Sequence, residues 1–374
     1  MRIGNIFISA FLFLPLLAVA EEQWQAGVIP YGMGGAYSAV ADDWLSLYYN
    51  PAGLAMVKKV EVQPLDVVLG TNSDVVGAAS DLKALSGSGG LASELSKLAG
   101  KHVEAKGADF SQITLPYFAF GVSYQVNADF NLSNVSYPTT VMQYTKDTGV
   151  SVGGAVGFGK QNDLRIGVHL EYIHRDGSTQ SVGLSQYLGS TSALVDLFNQ
   201  QGDGYAGTLG LQYKLPIQSR IEVNTAFVWH DIGDTSFGNS SSKNRPSTDS
   251  QDLVAGLAIR FPIGGAQNRR ALRRYGPKRS TSAFTIAYDY SELATPWSSR
   301  PFMMHSHIGA NIDLPILSLQ AGLYQSGISF GTGFDLGVFK VAASTYSQEL
   351  GAYAGQSRDR RYLLSIGSAF GFGL

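Results

Sequence analysis

The amino-acid sequence predicts an all-β fold, a transmembrane antiparallel β-barrel of about 14 strands with an N-terminal hatch, or plug, and short helices in its long loops. Three observations predict this class. Apolar and polar side chains alternate with a period of two in many segments. The chain begins with an export signal but has no internal apolar run long enough for a spanning helix. Finally, the last residues lie within an alternating segment.

The composition is rich in glycine and poor in charge. Of 374 residues, 44 are glycine, none is cysteine and 15% are charged. Globular proteins average about 7% glycine and about a quarter charged residues, so this is not the composition of an ordinary cytosolic enzyme. The lack of cysteine excludes disulfide scaffolds, cysteine-ligated zinc and thiol catalysis. A net charge of −2, spread along the chain, gives no broad cationic face for nucleic acid.

The N-terminus has the features of a signal peptide. Arg2 gives a weakly positive start, an apolar stretch runs from Ile6 to Leu17, and Ala18-Val19-Ala20 has the small-x-small form that precedes cleavage. We expect residues 1–20 to be removed near Ala20 and the mature chain to reach the outer membrane of a Gram-negative bacterium. The alternative is a retained anchor helix, which is less favoured because the apolar stretch is shorter than a bilayer span.

Several central segments alternate as strands with one apolar and one polar face. In the segment from Leu164 to Arg175, Ile166 and Val168 lie on the face opposite Arg165 and His169. Glycine or another small residue at alternate positions suits a crowded lumen and is out of place in a parallel-sheet core. The other clear examples are Arg220 to His230, Tyr205 to Lys214 and Ser151 to Gly159.

The final segment resembles the C-terminal strand of bacterial outer-membrane barrels. From Tyr362 to Leu374, large apolar side chains occupy one parity and mostly small ones the other. The chain departs from the commonest form because it ends in Leu374 rather than in an aromatic residue. As the edge strand of a soluble sandwich, the segment would need a second sheet to cover Phe370 and Phe372.

The connections between the predicted strands alternate in length, as they do in outer-membrane barrels. Long connections follow most odd-numbered strands, whereas a short one at Gln325 to Ser329 and a long one at Pro262 to Ser280 break the rule. Both termini are therefore expected on the periplasmic side. The predicted strands are centred near Val62, Phe120, Phe130, Val156, Val168, Leu209, Thr225, Leu257, Ile286, Ile308, Leu319, Phe334, Ala343 and Ile366. The predicted long connections include Gly70 to Ala108, Tyr137 to Thr148 and Asp176 to Gly202.

Three further segments have distinctive composition. Leucine-rich stretches at Leu82 to Leu98 and Leu184 to Phe198 have helical character and could cap the lumen or line an entrance for apolar ligands, although packing on the barrel rim is favoured. The basic run from Arg269 to Arg279 could bind lipid phosphates or a protein partner. A solvated turn is the favoured interpretation of that run.

The segment before the first strand contains the candidate site residues. Gly34 and Gly35 allow a close backbone approach, and Asn50-Pro51 begins a tight turn. A dinucleotide-binding loop is disfavoured because no strand precedes the glycines and no βαβ unit follows them. We divide the chain into a signal peptide (1–20), an N-terminal hatch (21–57) and the barrel (58–374).

These motifs resemble those of the FadL-type superfamily of outer-membrane barrels, which includes long-chain fatty-acid and aromatic-hydrocarbon transporters and the PorV and TraF-like branches. The resemblance rests on Gly-Met-Gly-Gly-Ala, Ala-Asp-Asp and Asn-Pro-Ala-Gly-Leu within residues 27–56, and more diffusely on 346–351, 358–362 and the final strand. It implies a fourteen-stranded barrel with a hatch in its lumen. The residues that match the hatch motif, and that we expect to fold and gate the hatch, are Gly34, Gly35, Asp42, Asp43, Asn50 and Pro51. No ligand-binding residue can be carried over.

The leading functional hypothesis is a passive channel for hydrophobic or amphipathic small molecules, such as long-chain fatty acids. The alternative is a non-transporting barrel that serves as a scaffold or shuttle in secretion or envelope assembly, as the PorV likeness suggests. Expected partners are outer-membrane lipid and lipopolysaccharide, a hydrophobic small-molecule ligand, and envelope or secretion proteins, but not nucleic acid. We expect no cofactor and no metal.

An enzyme is the least favoured hypothesis. His305 and His307 share a strand face with Asn311 and Asp313, so a metal pair or a hydrolase dyad is conceivable there, but no nucleophile motif accompanies them. Two histidines at this spacing more often line a polar lumen. Charged residues on polar strand faces are expected to pair inside the barrel, Arg165 with Glu171 and Arg220 with Glu222.

Overall fold

The chain folds into a closed antiparallel barrel of fourteen strands, in which each strand pairs with its sequence neighbours and the last pairs with the first. This computed structural model describes residues 26–77, 101–131, 139–159, 161–183, 198–217, 221–238, 246–263, 282–293 and 300–372. The predicted fold class is confirmed. No helix in these ranges is long and apolar enough to cross a membrane.

Short helices precede the barrel and sit at two of its connections. Before the first strand come α1 (Ile29–Gly32), α2 (Ser46–Tyr49) and a 3-10 turn (Pro51–Met56), and α3 (Ser73–Gly77) and a second 3-10 turn (Phe302–Met304) lie in loops. The strands are β1 (Val60–Asn72), β2 (His102–Leu115), β3 (Phe118–Asn131), β4 (Thr139–Phe158), β5 (Leu164–Gly183), β6 (Gln201–Lys214), β7 (Glu222–His230), β8 (Asp252–Ile263), β9 (Ser282–Tyr290), β10 (Ser306–Asp313), β11 (Leu317–Tyr324), β12 (Gly327–Asp335), β13 (Phe339–Glu349) and β14 (Arg358–Phe372).

Side chains in the strands alternate between the outside and the inside of the barrel, as predicted. In β6, Tyr205 and Leu209 are exposed on the outside, whereas Thr208 and Gln212 are buried on the inside. Large apolar side chains on the outward parity are exposed in most other strands as well. Such a belt around a closed barrel is typical of strands in contact with lipid, because a soluble barrel would expose it to water.

The prediction for the second strand was wrong, although the total of fourteen was right. β2 begins at His102, inside the predicted long connection, and Phe120 and Phe130 both belong to β3. The outward face of β2 includes Gly107 and Asp109, so its apolar alternation is weak. Its inward face carries charges that the barrel buries. A prediction from periodicity alone therefore assigns such a segment to a polar loop.

Two other predicted connections are shorter than expected, because β4 starts at Thr139 and β5 continues to Gly183. The alternation of connection lengths is otherwise present. We call the end of the barrel that carries the connections after odd-numbered strands the long-loop end, and the opposite end, where β1 begins and β14 finishes, the terminal end. Both exceptions are also found, with two residues between β11 and β12 and a long connection between β8 and β9.

Several sequence predictions lie outside the described residues. These are the signal peptide, most of the two leucine-rich loop stretches, the basic run from Arg269 to Arg279, and Leu374.

A buried charge network crosses β1 where the barrel closes. Arg361 of β14 lies 2.7 Å from Glu104 of β2, and Lys106 lies 2.8 Å from the same carboxylate. All three residues are buried. Buried charges are tolerated only when they are paired, so this network explains the polar inner face of β2.

The orientation of the faces gives a first testable expectation. Val168 is 50% exposed on the outside of β5, so Val168→Arg should impair barrel assembly, because a cation near the bilayer midplane costs about 2–4 kcal/mol. Heat-modifiable electrophoretic mobility of the refolded barrel measures this. The matched control is Gln143→Arg on the inner face of β4, which should assemble. Equal assembly of both variants would show that the faces are misassigned.

Candidate functional site

Residues 26–57, which we call the plug, lie inside the barrel. The side chains of Met33, Leu47 and Leu54 are fully buried, although the plug contains only two single-turn helices and a 3-10 turn. The strand positions that contact the plug belong to the inward parity, opposite the exposed apolar belt. The plug therefore fills part of the lumen and packs against the inner wall of the barrel.

A first pair of glycines forms a seat for the plug. Gly167 of β5 lies directly opposite Gly210 of β6. A β-carbon at Gly167 would collide with the backbone of Pro51 and Ala52, and one at Gly210 would lie 2.8 Å from the Pro51 ring. Only glycine lets the turn rest on the sheet at this distance.

A second glycine pair receives the other end of the motif. Gly309 of β10 lies opposite Gly322 of β11, and a β-carbon at Gly322 would lie 2.7 Å from the Gly34 nitrogen. Gly34 has φ +66°, and a β-carbon on it would approach the Ile308 carbonyl oxygen to 2.6 Å. The motif glycine thus serves both a left-handed backbone and a close approach to the wall.

His307 also anchors this end of the plug. Gly35 has φ +84°, and a β-carbon on it would lie 2.8 Å from His307 Nδ1. The same Nδ1 is 2.8 Å from the Gly34 carbonyl oxygen, and Nε2 is 3.3 Å from Ser291 Oγ. His305 instead lies 3.3 Å from Glu292. The two histidines therefore have separate partners rather than forming a pair. Among the described residues, no group of three or more histidines and carboxylates could hold a metal ion.

Asp289 of β9 holds the middle of the plug. Its Oδ2 accepts hydrogen bonds from the backbone N–H groups of Tyr37, at 2.9 Å, and Ser38, at 2.8 Å, while Oδ1 accepts one from Ser38 Oγ at 2.8 Å. Gln212 of β6 donates to the carbonyl oxygens of Ser38 and Ala41, each at 3.0 Å. Through these buried bonds, side chains of the wall satisfy polar backbone groups of the plug.

The two predicted aspartates of the motif have different partners. Asp42 lies 3.1 Å from the Arg260 guanidinium of β8, an ion pair between the plug and the wall. Asp43 accepts a hydrogen bond from the Leu45 N–H at 3.1 Å and contacts the Tyr37 hydroxyl at 3.4 Å, both within the plug. Asp42 therefore attaches the plug, whereas Asp43 shapes it.

Asn50 both attaches the plug to the wall and shapes the plug itself. Its side-chain amide donates to the carbonyl oxygens of Ser38, at 3.0 Å, and Leu211, at 3.3 Å, and its Oδ1 accepts from the Ala52 N–H at 3.1 Å. That last bond caps the 3-10 turn that Pro51 begins. Asn50 is fully buried, so a side chain without both donor and acceptor would leave polar groups unsatisfied.

The structure brings the six predicted motif residues together with wall residues that the sequence did not indicate. Asp289, Gln212 and His307 lie on three separate strands far along the chain from the motif. The only sequence signal for them is a polar residue on the inward parity, and many other residues share that signal.

The predicted pairing of lumenal charges is only partly right. Arg165 donates to the oxygens of Gln212, at 2.8 Å, and Asn224, at 3.3 Å, instead of pairing with Glu171. Glu222 pairs with Lys214 at 2.7 Å. Arg220, its expected partner, lies outside the described residues. Alternation gives the face of a charge but not its partner across the lumen.

Cavities lie on both sides of the plug. One of about 110 Å³ is bounded by β2 to β7 between the plug and the long-loop end. A smaller one, of about 70 Å³, lies toward the terminal end and contains the Asp42–Arg260 pair in its wall. A third, of about 160 Å³, lies at the terminal-end turn between β10 and β11. The plug thus separates spaces that belong to the two ends of the barrel.

The cavity at the long-loop end, which we call the upper cavity, is mostly polar. Arg175 extends along its wall and makes two hydrogen bonds to Asp147 and two to Asp249, at 2.7–3.0 Å. Its guanidinium lies 4.1 Å from the centroid of the Phe237 ring. The other lining residues are Ala26, Tyr48, Phe110, Ser123, Gln125, Asn127, Gln143, Thr145, His169, Glu171, Ile173, Ala206, Thr208, His230 and Asp231.

No protein-family model and no curated protein sequence matches this chain. Among solved structures, it is similar to the toluene transporter TbuX of Ralstonia pickettii, with 12% identity and a TM-score of 0.47 over 92% of this chain and 98% of that one. It is similar also to the toluene transporter TodX of Pseudomonas putida, with 13% identity and a TM-score of 0.44 over 94% of this chain and 99% of that one. A FadL homologue of Pseudomonas aeruginosa has 10% identity and a TM-score of 0.31 over 93% of this chain and 98% of that one. The chain is thus similar, at low identity and over nearly its whole length, to two toluene transporters and a FadL homologue.

Proposed function

We propose that this chain is an outer-membrane channel for small amphipathic or hydrophobic molecules, opened by movement of the plug. The observation that carries the proposal is the position of the plug between cavities that belong to opposite ends of the lumen. Discrete polar bonds and two glycine seats hold it there. Such contacts can break and re-form as a unit, which is what a gate requires.

The cellular setting forms part of the same proposal. The outward apolar belt suits lipid, and outer-membrane lipid and lipopolysaccharide are its natural surroundings. Residues 1–20 would direct export and be removed near Ala20. The hatch role of the six motif residues is also proposed. Contacts with the wall support it for Gly34, Gly35, Asp42, Asn50 and Pro51, and contacts within the plug support it for Asp43.

The lining of the upper cavity refines the class of cargo. The sequence resemblance implies cargo such as long-chain fatty acids or aromatic hydrocarbons. The carboxylates of Asp147, Glu171, Asp231 and Asp249 would repel the head group of a fatty acid in this cavity. We therefore favour amphipathic molecules whose polar end is neutral or cationic.

Solute flux into proteoliposomes tests the proposal. We expect the purified barrel to pass small amphipathic molecules faster than empty liposomes do, and a deletion strain to lose uptake of the same compounds. If flux and uptake are unchanged for fatty acids, hydrocarbons and amphipathic molecules alike, the channel proposal fails. Co-purification of large envelope proteins under those conditions would support the scaffold alternative.

A further inference from the structure

The upper cavity has an acidic excess. Among its described lining residues, four carboxylates face one guanidinium, that of Arg175. Arg175 directs its hydrogen bonds to Asp147, Asp249 and one backbone carbonyl, so its charge is shared between two carboxylates. A second positive charge in the cavity would therefore be stabilised.

Glu171 lies on β5, two residues from His169, and both line this space. Its Oε1 accepts a hydrogen bond from Ser123 Oγ at 3.2 Å, a neutral donor. Gly149 on the neighbouring strand provides room for it, because a β-carbon there would collide with this carboxylate oxygen. Glu171 is partly accessible, and the accessible part faces the cavity.

His169 gives an independent indication of a ligand. The residue is only 5% exposed and lines the cavity, yet its Nε2 has no hydrogen-bond partner among the described residues. His169 lines the cavity, and buried polar nitrogens are almost always bonded, so this unsatisfied nitrogen suggests that a ligand supplies the missing group. A neutral imidazole nitrogen can accept a hydrogen bond from an ammonium N–H.

Aromatic rings form the plug side of the cavity. The Tyr48 ring packs edge-on against Phe110, with centroids 5.3 Å apart, and against His169 at 6.0 Å. Aromatic faces attract cations and cover short alkyl groups. The cavity of about 110 Å³ is slightly smaller than one that holds benzene, about 150 Å³, so a ligand of about five heavy atoms fits.

We propose that the upper cavity binds a small primary ammonium compound, whose charged nitrogen lies between Glu171 and His169 and whose short alkyl chain contacts Tyr48. This names a substrate class for the proposed channel and so rests on that function for its physiological meaning. An anion would face an excess of carboxylates, and a neutral alcohol would leave that excess uncompensated. A metal ion is not favoured, since the described residues hold no cluster of metal ligands.

Calorimetric titration of the purified, full-length barrel with n-butylammonium tests the proposal. We expect saturable binding, and affinities about tenfold or more weaker for n-butanol, which lacks the charge, and for butyrate, which reverses it. Glu171→Gln should weaken n-butylammonium binding about tenfold or more and leave n-butanol binding unchanged. The control Glu61→Gln removes a carboxylate paired with Lys340 at the terminal end and should leave n-butylammonium affinity unchanged.

The proposal is overturned if n-butylammonium gives no saturable heat, if n-butanol binds equally well, or if Glu171→Gln keeps the wild-type affinity. Should Glu171→Gln fail to fold, as judged by heat-modifiable mobility, the comparison of the three ligands on the wild-type barrel still decides. Binding without flux would refute the channel and retain this site. Flux of other solutes without ammonium binding would retain the channel and refute this site.

Discussion

Gly167→Val is expected to displace the plug from its seat while leaving the barrel closed. The new side chain would occupy the position of the Pro51 and Ala52 backbone, and overpacking of this kind costs about 1–3 kcal/mol. The turn can move into the lumen, whereas the strand is fixed by its ladder with Gly210. Hydrogen exchange at the Ala52 amide should rise by about tenfold or more, since 1.4 kcal/mol is a factor of ten in an equilibrium.

The control for this variant is Gly207→Val, on the outward parity of β6. A β-carbon there meets only the Leu170 side chain, at 3.8 Å, so valine is accommodated. We expect wild-type hydrogen exchange in the plug of that variant. If Gly167→Val also exchanges at the wild-type rate while the barrel remains folded, the paired glycines are not a seat.

Asp289→Ala is expected to loosen the centre of the plug and increase solute flux. The substitution removes one acceptor from three donors, the N–H groups of Tyr37 and Ser38 and the Ser38 hydroxyl. Loss of a hydrogen bond to a charged group costs about 1.5–3 kcal/mol, so the population of displaced plug should rise by tenfold or more. Proteoliposome flux and hydrogen exchange at residues 37 and 38 measure the change.

Asp335→Ala provides the comparison for Asp289→Ala. Asp335 also accepts a backbone hydrogen bond, from Gly337, but it is the last residue of β12, at the terminal end. We expect flux through this variant to match the wild type. Flux that rises equally in both variants would indicate general weakening of the barrel rather than release of the plug.

The sequence was sufficient to predict the barrel because its outer face imposes a strict rule. Outward residues such as Val168 and Leu209 must be apolar to lie in the exposed belt, and this leaves a period of two. β2 was missed where the rule weakens, since its outward positions include Gly107 and Asp109. Its neighbours supply the hydrogen bonds that fix it as a strand, and that pairing is not a local property.

The plug motif was also recognisable, but its partners were not. Asp289 and Gln212 bind Ser38 from strands 251 and 174 residues away along the chain. Alternation places both on an inner face without showing whether an inner residue meets the plug or open space. Gln212 is fully buried between the plug and Arg165. Glu171 is also a polar residue on the inward parity of its strand, but it faces a cavity.

The same reasoning explains part of the high glycine content. Glycines of the inner wall are required where the plug backbone approaches the sheet, as at Gly167 and Gly322. The abundance of glycine is visible in the sequence. The two seats are not, because they form only when the strands pair and bring Gly167 opposite Gly210 and Gly309 opposite Gly322.

Single-channel conductance of the barrel with and without residues 26–57 tests the central claim most directly, that the plug closes the lumen. Heat-modifiable mobility would first establish that the shortened chain forms a closed barrel. We predict low conductance with brief openings for the intact chain and a continuously open channel after the deletion. Equal conductance of the two folded barrels would contradict the account, because the plug would then not be what blocks passage.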